Sequence, residues 1–364
     1  MSDAPAAYRL PTGPTGLGSS ASGLALLGTA AGPSTAASAP APAASPRSRL
    51  HCPPAVRHDP ALEREVNEEL VAWAERTGIN PGGTDALRAM DFGRLITLAY
   101  PHTEDPDRLL AIAKPHLSLW IADDCYVDES SLGAVPVLLG ARLGLAHAAI
   151  DPVPLPARYA PELARELDAD PVLRAHQSAW RHLRRYATPV QVQRVHHAVA
   201  SLFVGCGQEA TWHEAERLPP AWEYLTSRCL DNFRLSMLMI DTAGGYEVPA
   251  QEYADPRVRR VLTLAATAGQ LVNDVYSVAK DAAGPGLSMN LPAVIAAEEG
   301  CAVGEAVERT VDMHNELMHT YEAEAAALAL TGSPLLRCWL AQIRDWLGGA
   351  YEWHATSARY GGPA

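Results

Sequence analysis

Asn273, Ser277 and Asp281 stand four residues apart in the run Asn273-Asp274-Val275-Tyr276-Ser277-Val278-Ala279-Lys280-Asp281. On a helix of 3.6 residues per turn, each step of four drifts only about 40° around the axis. The three side chains therefore form one stripe over roughly two turns. They offer an amide carbonyl, a hydroxyl and a carboxylate, hard oxygen donors that suit magnesium and not zinc or copper. Lys280 places a cation beside the stripe, which points to an anion shared with the metal. A solvated polar face shows the same spacing, so other motifs must decide.

A second acidic group lies upstream. The apolar helical run Leu117-Ser118-Leu119-Trp120-Ile121-Ala122 ends abruptly in Asp123-Asp124-Cys125-Tyr126-Val127-Asp128-Glu129. Four carboxylates so close together repel one another unless a cation holds them. Negative charge at a helix C-terminus also opposes the helix dipole. Asp124 and Asp128 share a helical face, whereas Asp123 and Asp128 do so only if the helix ends between them. Further along, Arg228 lies in Tyr224-Leu225-Thr226-Ser227-Arg228-Cys229-Leu230-Asp231-Asn232. It either pairs with Asp231 or serves as a bidentate phosphate ligand. Near the C-terminus, Trp353-His354-Ala355-Thr356-Ser357-Ala358-Arg359-Tyr360 sets a second arginine beside a phenol. Taken together, these pieces describe a site for magnesium and a polyanion, most simply a diphosphate.

The elements that must position them are helices. From Asp59 onward, Leu62, Val66, Leu70 and Trp73 recur at helical spacing among acidic residues, and Asp59-Pro60 supplies a start signal. Similar segments are expected over about 84–99, 106–124, 160–185, 189–216, 221–242, 256–282, 303–330 and 334–357. Period-2 alternation is absent, so residues 51–364 read as an all-α domain. Residues 1–50, rich in Ala, Pro, Ser, Gly and Thr, lack the composition to build a core and are expected to be disordered. The apolar stretch Gly23–Gly28 is too short for a secretory signal.

Composition narrows the function. A net charge of −13 over 364 residues excludes a nucleic-acid binder that neutralises phosphates. No run is long enough for membrane insertion. The six cysteines are scattered, which favours reduced thiols in a cytoplasmic protein over a disulfide framework or a zinc site.

In this ordered set the chain resembles the bacterial class I terpene synthases. Their Asp-rich motif is similar to Asp123-Asp124-x-x-x-Asp128, and their second metal motif to Asn273–Asp281. Arg228 matches their diphosphate-sensing arginine, Asp231 and Asn232 fall on the following helix break, and Arg359-Tyr360 matches their closing pair. Asp281 stands where that family usually has glutamate, a shorter arm toward a metal. A narrower likeness, to the subfamily of 2-methylisoborneol synthases, rests on Cys52-Pro53-Pro54-Ala55-Val56-Arg57, Asp91-Phe92-Gly93-Arg94-Leu95, the Asp-Asp-x-Tyr form of the acidic motif and Gly244-Gly245-Tyr246-Glu247. Val127 and the short Asp128-Glu129 tail depart from that subfamily's longer acidic run.

The resemblance implies a helical bundle around one deep apolar cavity, with both metal motifs at its mouth. It implies three magnesium ions, with Asp123, Asp124 and Asp128 on one side and Asn273, Ser277 and Asp281 on the other. Arg228, Lys280, Arg359 and Tyr360 would hold the diphosphate. Phe92, Trp120, Phe203, Trp212 and Trp353 are candidates for the cavity wall, where aromatic faces stabilise a carbocation. The implied substrate is geranyl diphosphate methylated at position 2, supplied by a partner methyltransferase. Relatives that make 2-methylenebornane share these features, and a longer or unmethylated prenyl diphosphate is the competing substrate. A chain-elongating prenyltransferase is disfavoured, since it would carry a second Asp-rich helix in place of the Asn-Ser-Asp stripe. A catalytically dead isoprenoid-binding protein is disfavoured by the intact diphosphate set. A homodimer is compatible with the fold class.

Overall fold

The computed structural model describes residues 46–79, 83–128, 134–283 and 287–360. The expected disordered segment lies outside the described residues as far as residue 45, as does Glu129 in the acidic run. Residues Pro46–Arg49 form a single 3-10 turn, and Leu50 behind it is buried.

The described chain is helical, without strands. The first half holds α1 (Pro60–Thr77), α2 (Thr84–Met90), α3 (Phe92–Ala99), α4 (Pro106–Asp123), α5 (Pro136–Ile150), α6 (Ala160–Ala169) and α7 (Pro171–Leu183). The middle holds α8 (Pro189–Glu214), α9 (Ala221–Arg228), α10 (Arg234–Leu238), α11 (Ile240–Gly244) and α12 (Ala250–Ala254). The last part holds α13 (Pro256–Ala283), α14 (Leu291–Glu299), α15 (Val303–Thr331) and α16 (Pro334–Thr356), followed by a 3-10 turn over Ala358–Tyr360.

Their starts follow a local rule. Helices α1, α4, α7, α8 and α16 each open on a capping side chain (Asp59, Asp105, Asp170, Thr188 or Ser333) followed at once by proline. The cap accepts a bond from an otherwise orphaned N–H, and proline has no N–H to lose.

Several expected helices are broken. The 84–99 segment splits at Asp91, which adopts a left-handed φ of 52°. The 160–185 segment splits at Asp170, whose backbone is extended and caps α7. The 221–242 segment stops at Arg228 and resumes at Arg234, so Asp231 and Asn232 do lie in a helix break. Helices α5 and α14 have no counterpart among the expected segments. Both are apolar almost all round, so they lack the polar face that periodicity reads.

Helix α13 packs along α15 and is met by α16, α14 and α10, while α4 packs against α7, α1 and α3. The cavity lies between these two groups. Where α16 meets α3, a Cβ at Gly349 would strike the carbonyl of Leu98, and one at Gly348 would strike the carbonyls of Pro53 and Pro54. Gly93 has the same relation to the backbone of Asn67. The six cysteines are free, and no helix among the described residues is long and apolar enough to cross a membrane.

Gly349→Ala should therefore force α3 and α16 apart and cost about 1–3 kcal/mol, the usual scale of overpacking. Urea unfolding would report it as a lower midpoint with an unchanged slope. A wild-type midpoint would show that the two helices are not in backbone contact.

Candidate active site

The inward face of α4 carries His116, Trp120 and Asp123, spaced i, i+4 and i+7, and all three line one cavity of about 250 Å³. The helix then passes into a π-helical turn over Asp124–Asp128. This widening turns Asp123 and Asp124 to different neighbours. Asp123 accepts a long contact of 3.7 Å from the thiol of Cys206 on α8. Asp124 is buried, 3.9 Å from the guanidinium of Arg359, and its Oδ2 has no hydrogen-bond partner. The side chain of Asp128 lies outside the described residues.

Opposite stands α13. Asn273, Ser277, Lys280 and Asp281 all face the same cavity, so the predicted stripe exists. Ser277 donates to Asp281 Oδ2 at 2.9 Å, and Asn290 Nδ2 donates to the same oxygen at 2.8 Å. Asn273 Nδ2 donates to Tyr360 OH at 2.8 Å and lies 3.2 Å from His354 Nε2. Since His354 Nδ1 sits 2.7 Å from the Ala350 carbonyl, that nitrogen bears the proton and Nε2 is the acceptor. Both donors of the Asn273 amide are thereby engaged. Burial holds His354 in its neutral form by pushing its pKa down to about 4.

Asp274 is different. It is buried and accepts from Tyr224 OH at 2.8 Å, from the Leu291 N–H at 3.1 Å and from Gln270 at 3.2 Å. Its carboxylate ties α13 to α9 and α14 and is turned away from the cavity wall.

The third wall is the break after α9. Arg228 donates through Nε to Tyr224 OH at 2.8 Å, through one terminal nitrogen to Asp231 at 2.6 Å, and through the other to the Met289 carbonyl at 3.2 Å. Arg228 is thus paired with Asp231 and also lines the cavity. Glu209 on α8 lies 3.5 Å from the same guanidinium. Burial pushes the Asp231 carboxyl up to about 6, against the pull of Arg228.

The aromatic candidates separate. Trp120 lines the cavity, with the Arg359 guanidinium 4.8 Å from its ring centroid. Phe92 and Trp353 pack behind it, at centroid distances of 5.0 and 6.1 Å from Trp120, and hold its ring without lining the cavity. Phe203 instead lines a surface groove between α5 and α8. Trp212 stacks on Tyr224 in a separate cluster and donates to Glu223. Sequence periodicity placed these two on a helix but not on a wall. It also missed wall residues that carry no motif: Glu209, His213, Phe233, and His116 with Ser236 in the depth.

No three His, Cys, Asp or Glu side chains converge on a metal-sized point among the described residues. The donors are divided between two facing walls, and one wall uses an amide and a hydroxyl. Asp123, Asn273, Ser277 and Asp281 are all hard oxygen donors, and Asp124 offers a buried carboxylate oxygen without a partner. This set fits magnesium. Arg228, Arg359 and Lys280 surround it with the positive charge an anionic co-ligand needs.

A helical shell with a two-walled oxygen site and flanking arginines defines a class I prenyl diphosphate-processing enzyme. Residues 117–320 match the model of terpene synthase family 2, C-terminal metal binding, and the chain belongs to that family. It is 37% identical to the 2-methylisoborneol synthase of Streptomyces ambofaciens over 98% of this chain and 82% of that relative. The crystal structure of 2-methylisoborneol synthase from Streptomyces coelicolor A3(2) with Mg2+ and 2-fluoroneryl diphosphate superposes with a TM-score of 0.82 at 36% identity, covering 86% of this chain and 98% of that one. Its complex with Mg2+ and geranyl-S-thiolodiphosphate gives a TM-score of 0.78 at 37% identity, with coverages of 86% and 97%.

Asn273 and Asp274 are neighbours with opposite expected behaviour. Asn273→Ala should abolish turnover while the melting temperature stays close to wild type. Asp274→Ala leaves three buried donors without their acceptor and should destabilise by about 3–5 kcal/mol. Paired thermal melts and turnover assays decide it, and an Asn273→Ala enzyme with normal turnover would remove Asn273 from the ligand set.

Proposed function

We propose that this chain ionises 2-methylgeranyl diphosphate and cyclises the resulting cation to 2-methylisoborneol, releasing diphosphate. The observation that carries the reading is the pair of facing oxygen walls on α4 and α13, closed by Arg228 and Arg359 over a single cavity. Similarity to the Streptomyces 2-methylisoborneol synthases, solved with Mg2+ and prenyl diphosphate analogues, supports the product and the substrate class.

Magnesium held between Asp123 and the Asn273–Ser277–Asp281 stripe supplies the positive charge that makes diphosphate a leaving group. Arg228, Lys280, Arg359 and Tyr360 orient the diphosphate oxygens, the arginines through their planar forks. Leu119, Leu202, Phe233 and Leu235 supply apolar surface for the hydrocarbon part of the substrate. The Trp120 ring presents π density to the cation. The extra methyl of the substrate has to come from a methyltransferase acting on geranyl diphosphate.

Geranyl, 2-methylgeranyl and farnesyl diphosphates offered side by side, with headspace analysis, test the reading. The highest kcat/KM is expected with 2-methylgeranyl diphosphate. Geranyl diphosphate should be weaker by about 10–200-fold, the range one methyl supplies in an apolar pocket. Excess chelator should abolish turnover of all three. A preference for farnesyl diphosphate would overturn the substrate assignment, and full turnover in chelator would overturn the metal site.

A further inference from the structure

Away from the metal wall the cavity is lined by polar as well as apolar side chains. His116 and Ser236 both line it, and His116 Nε2 lies 2.6 Å from Ser236 Oγ. Their hydrogen-bond direction is fixed. His116 Nδ1 sits 2.7 Å from the Ile112 carbonyl, an acceptor, so this nitrogen carries the proton. Nε2 must then accept, and the Ser236 hydroxyl donates to it. Tyr100 OH donates its single proton to the Ser236 carbonyl at 2.8 Å, which leaves the serine oxygen lone pairs uncommitted to it.

Position along α4 fixes the depth. His116 lies seven residues before Asp123 on the same face, about 10 Å of helix rise below the metal wall. A group there is beyond the diphosphate and beside the hydrocarbon. His116 and Ser236 satisfy one another, and the serine oxygen keeps lone pairs for a further donor from the cavity. Asn232 gives an independent sign. It lines the same cavity, is 7% exposed, and its buried Nδ2 has no partner. Such a group calls for a polar occupant.

We propose that Ser236 and His116 form the site that holds and deprotonates the water molecule ending the reaction, and so set the ratio of alcohol to hydrocarbon product. This rests on the function proposed above, whose product is a tertiary alcohol. A water donating one hydrogen to Ser236 Oγ keeps a lone pair facing the cavity. As that lone pair forms the C–O bond with the final cation, the O–H bond to Ser236 breaks. The proton passes to Ser236 Oγ while the serine's own proton moves to His116 Nε2, and the imidazolium releases it to solvent when the product leaves. Burial weakens His116 as a base, to about 4. That suffices, because the oxonium formed when water meets a carbocation is a far stronger acid. A weak base in this place also spares earlier cations from premature proton loss.

The test uses the full-length magnesium-loaded enzyme with 2-methylgeranyl diphosphate in 18O-labelled water. The readout is the alcohol-to-hydrocarbon ratio per diphosphate released. Wild-type alcohol should carry the label. Ser236→Ala, which removes one oxygen from a packed site, should lower the ratio at least about 100-fold in favour of hydrocarbon, the low end of what a positioned base contributes. Ser236→Thr, which keeps the hydroxyl, should restore most of the ratio. His116→Phe should reproduce the shift where it folds, and Ser236→Ala decides where it does not. A wild-type ratio in Ser236→Ala would overturn the proposal. Failure of the underlying function looks different: the wild-type enzyme itself would release no diphosphate.

Discussion

A buried chain of hydrogen bonds from Arg228 through Tyr224 to Asp274 underlies the site. The guanidinium donates to the phenol oxygen, and the phenol donates to a carboxylate that also accepts the Leu291 N–H. Three helices, α9, α13 and α14, are thereby locked at one point. Removing one member of such a buried set costs about 3–5 kcal/mol, because the others stay desolvated and unpaired. The chain explains how a helix can stop at Arg228 without losing register. It also makes the arginine that faces the anion and the helix that carries the metal stripe parts of one network.

From that frame the cavity acquires a polarity gradient. Along α4 the inward residues pass from His116 through Trp120 to Asp123, and on α13 the oxygen stripe sits at the same end as Asp123. Charged groups gather at the mouth, where Arg228 is shared between Asp231 and Glu209, and Asp124 faces Arg359. Leu119, Leu202, Phe233 and Leu235 add hydrocarbon to the rest of the wall, beside the polar pair His116 and Ser236. Ionisation needs strong fields at the leaving group and a non-nucleophilic environment at the cation, and two helices of ordinary geometry deliver both.

What the sequence made legible follows from this. The Asn273–Ser277–Asp281 stripe and the acidic end of α4 could be read because a local helical repeat brings their members together. The break at Asp231 and Asn232 was placed only through family likeness, and its residues do line the cavity. Glu209, His116 and Ser236 escaped because each is one polar residue on a mixed helix, indistinguishable in sequence from a solvated position. Phe233 lies inside the break, where no periodicity applies. Phe203 and Trp212 show the converse, since helical spacing says that a large ring is buried but not which of two neighbouring clusters receives it. Helices α5 and α14 were hidden by being apolar on nearly every side.

Apart from the acidic motif, whose Asp123 and Asp124 line the cavity, the motifs that suggested the narrower subfamily shape the frame and not the pocket. Asp91 takes a left-handed turn between α2 and α3, a conformation aspartate tolerates better than most residues, and its carbonyl accepts from Trp353. Gly93 admits the backbone of Asn67. Gly245 closes α11 with a φ of 71°, Tyr246 gives its carbonyl to Gln191, and Glu247 accepts from Thr188 at the start of α8. None of these residues lines the cavity, so they record a shared arrangement of α3, α8, α11 and α16. Phe92, in the same motif, acts on the pocket at one remove by bracing Trp120. A common frame holds the cavity walls in common places, yet the walls themselves are chosen by other residues. Substrate length and the final step of the reaction must therefore be decided by side chains on α4, α8 and the α9–α10 break, which those motifs do not specify.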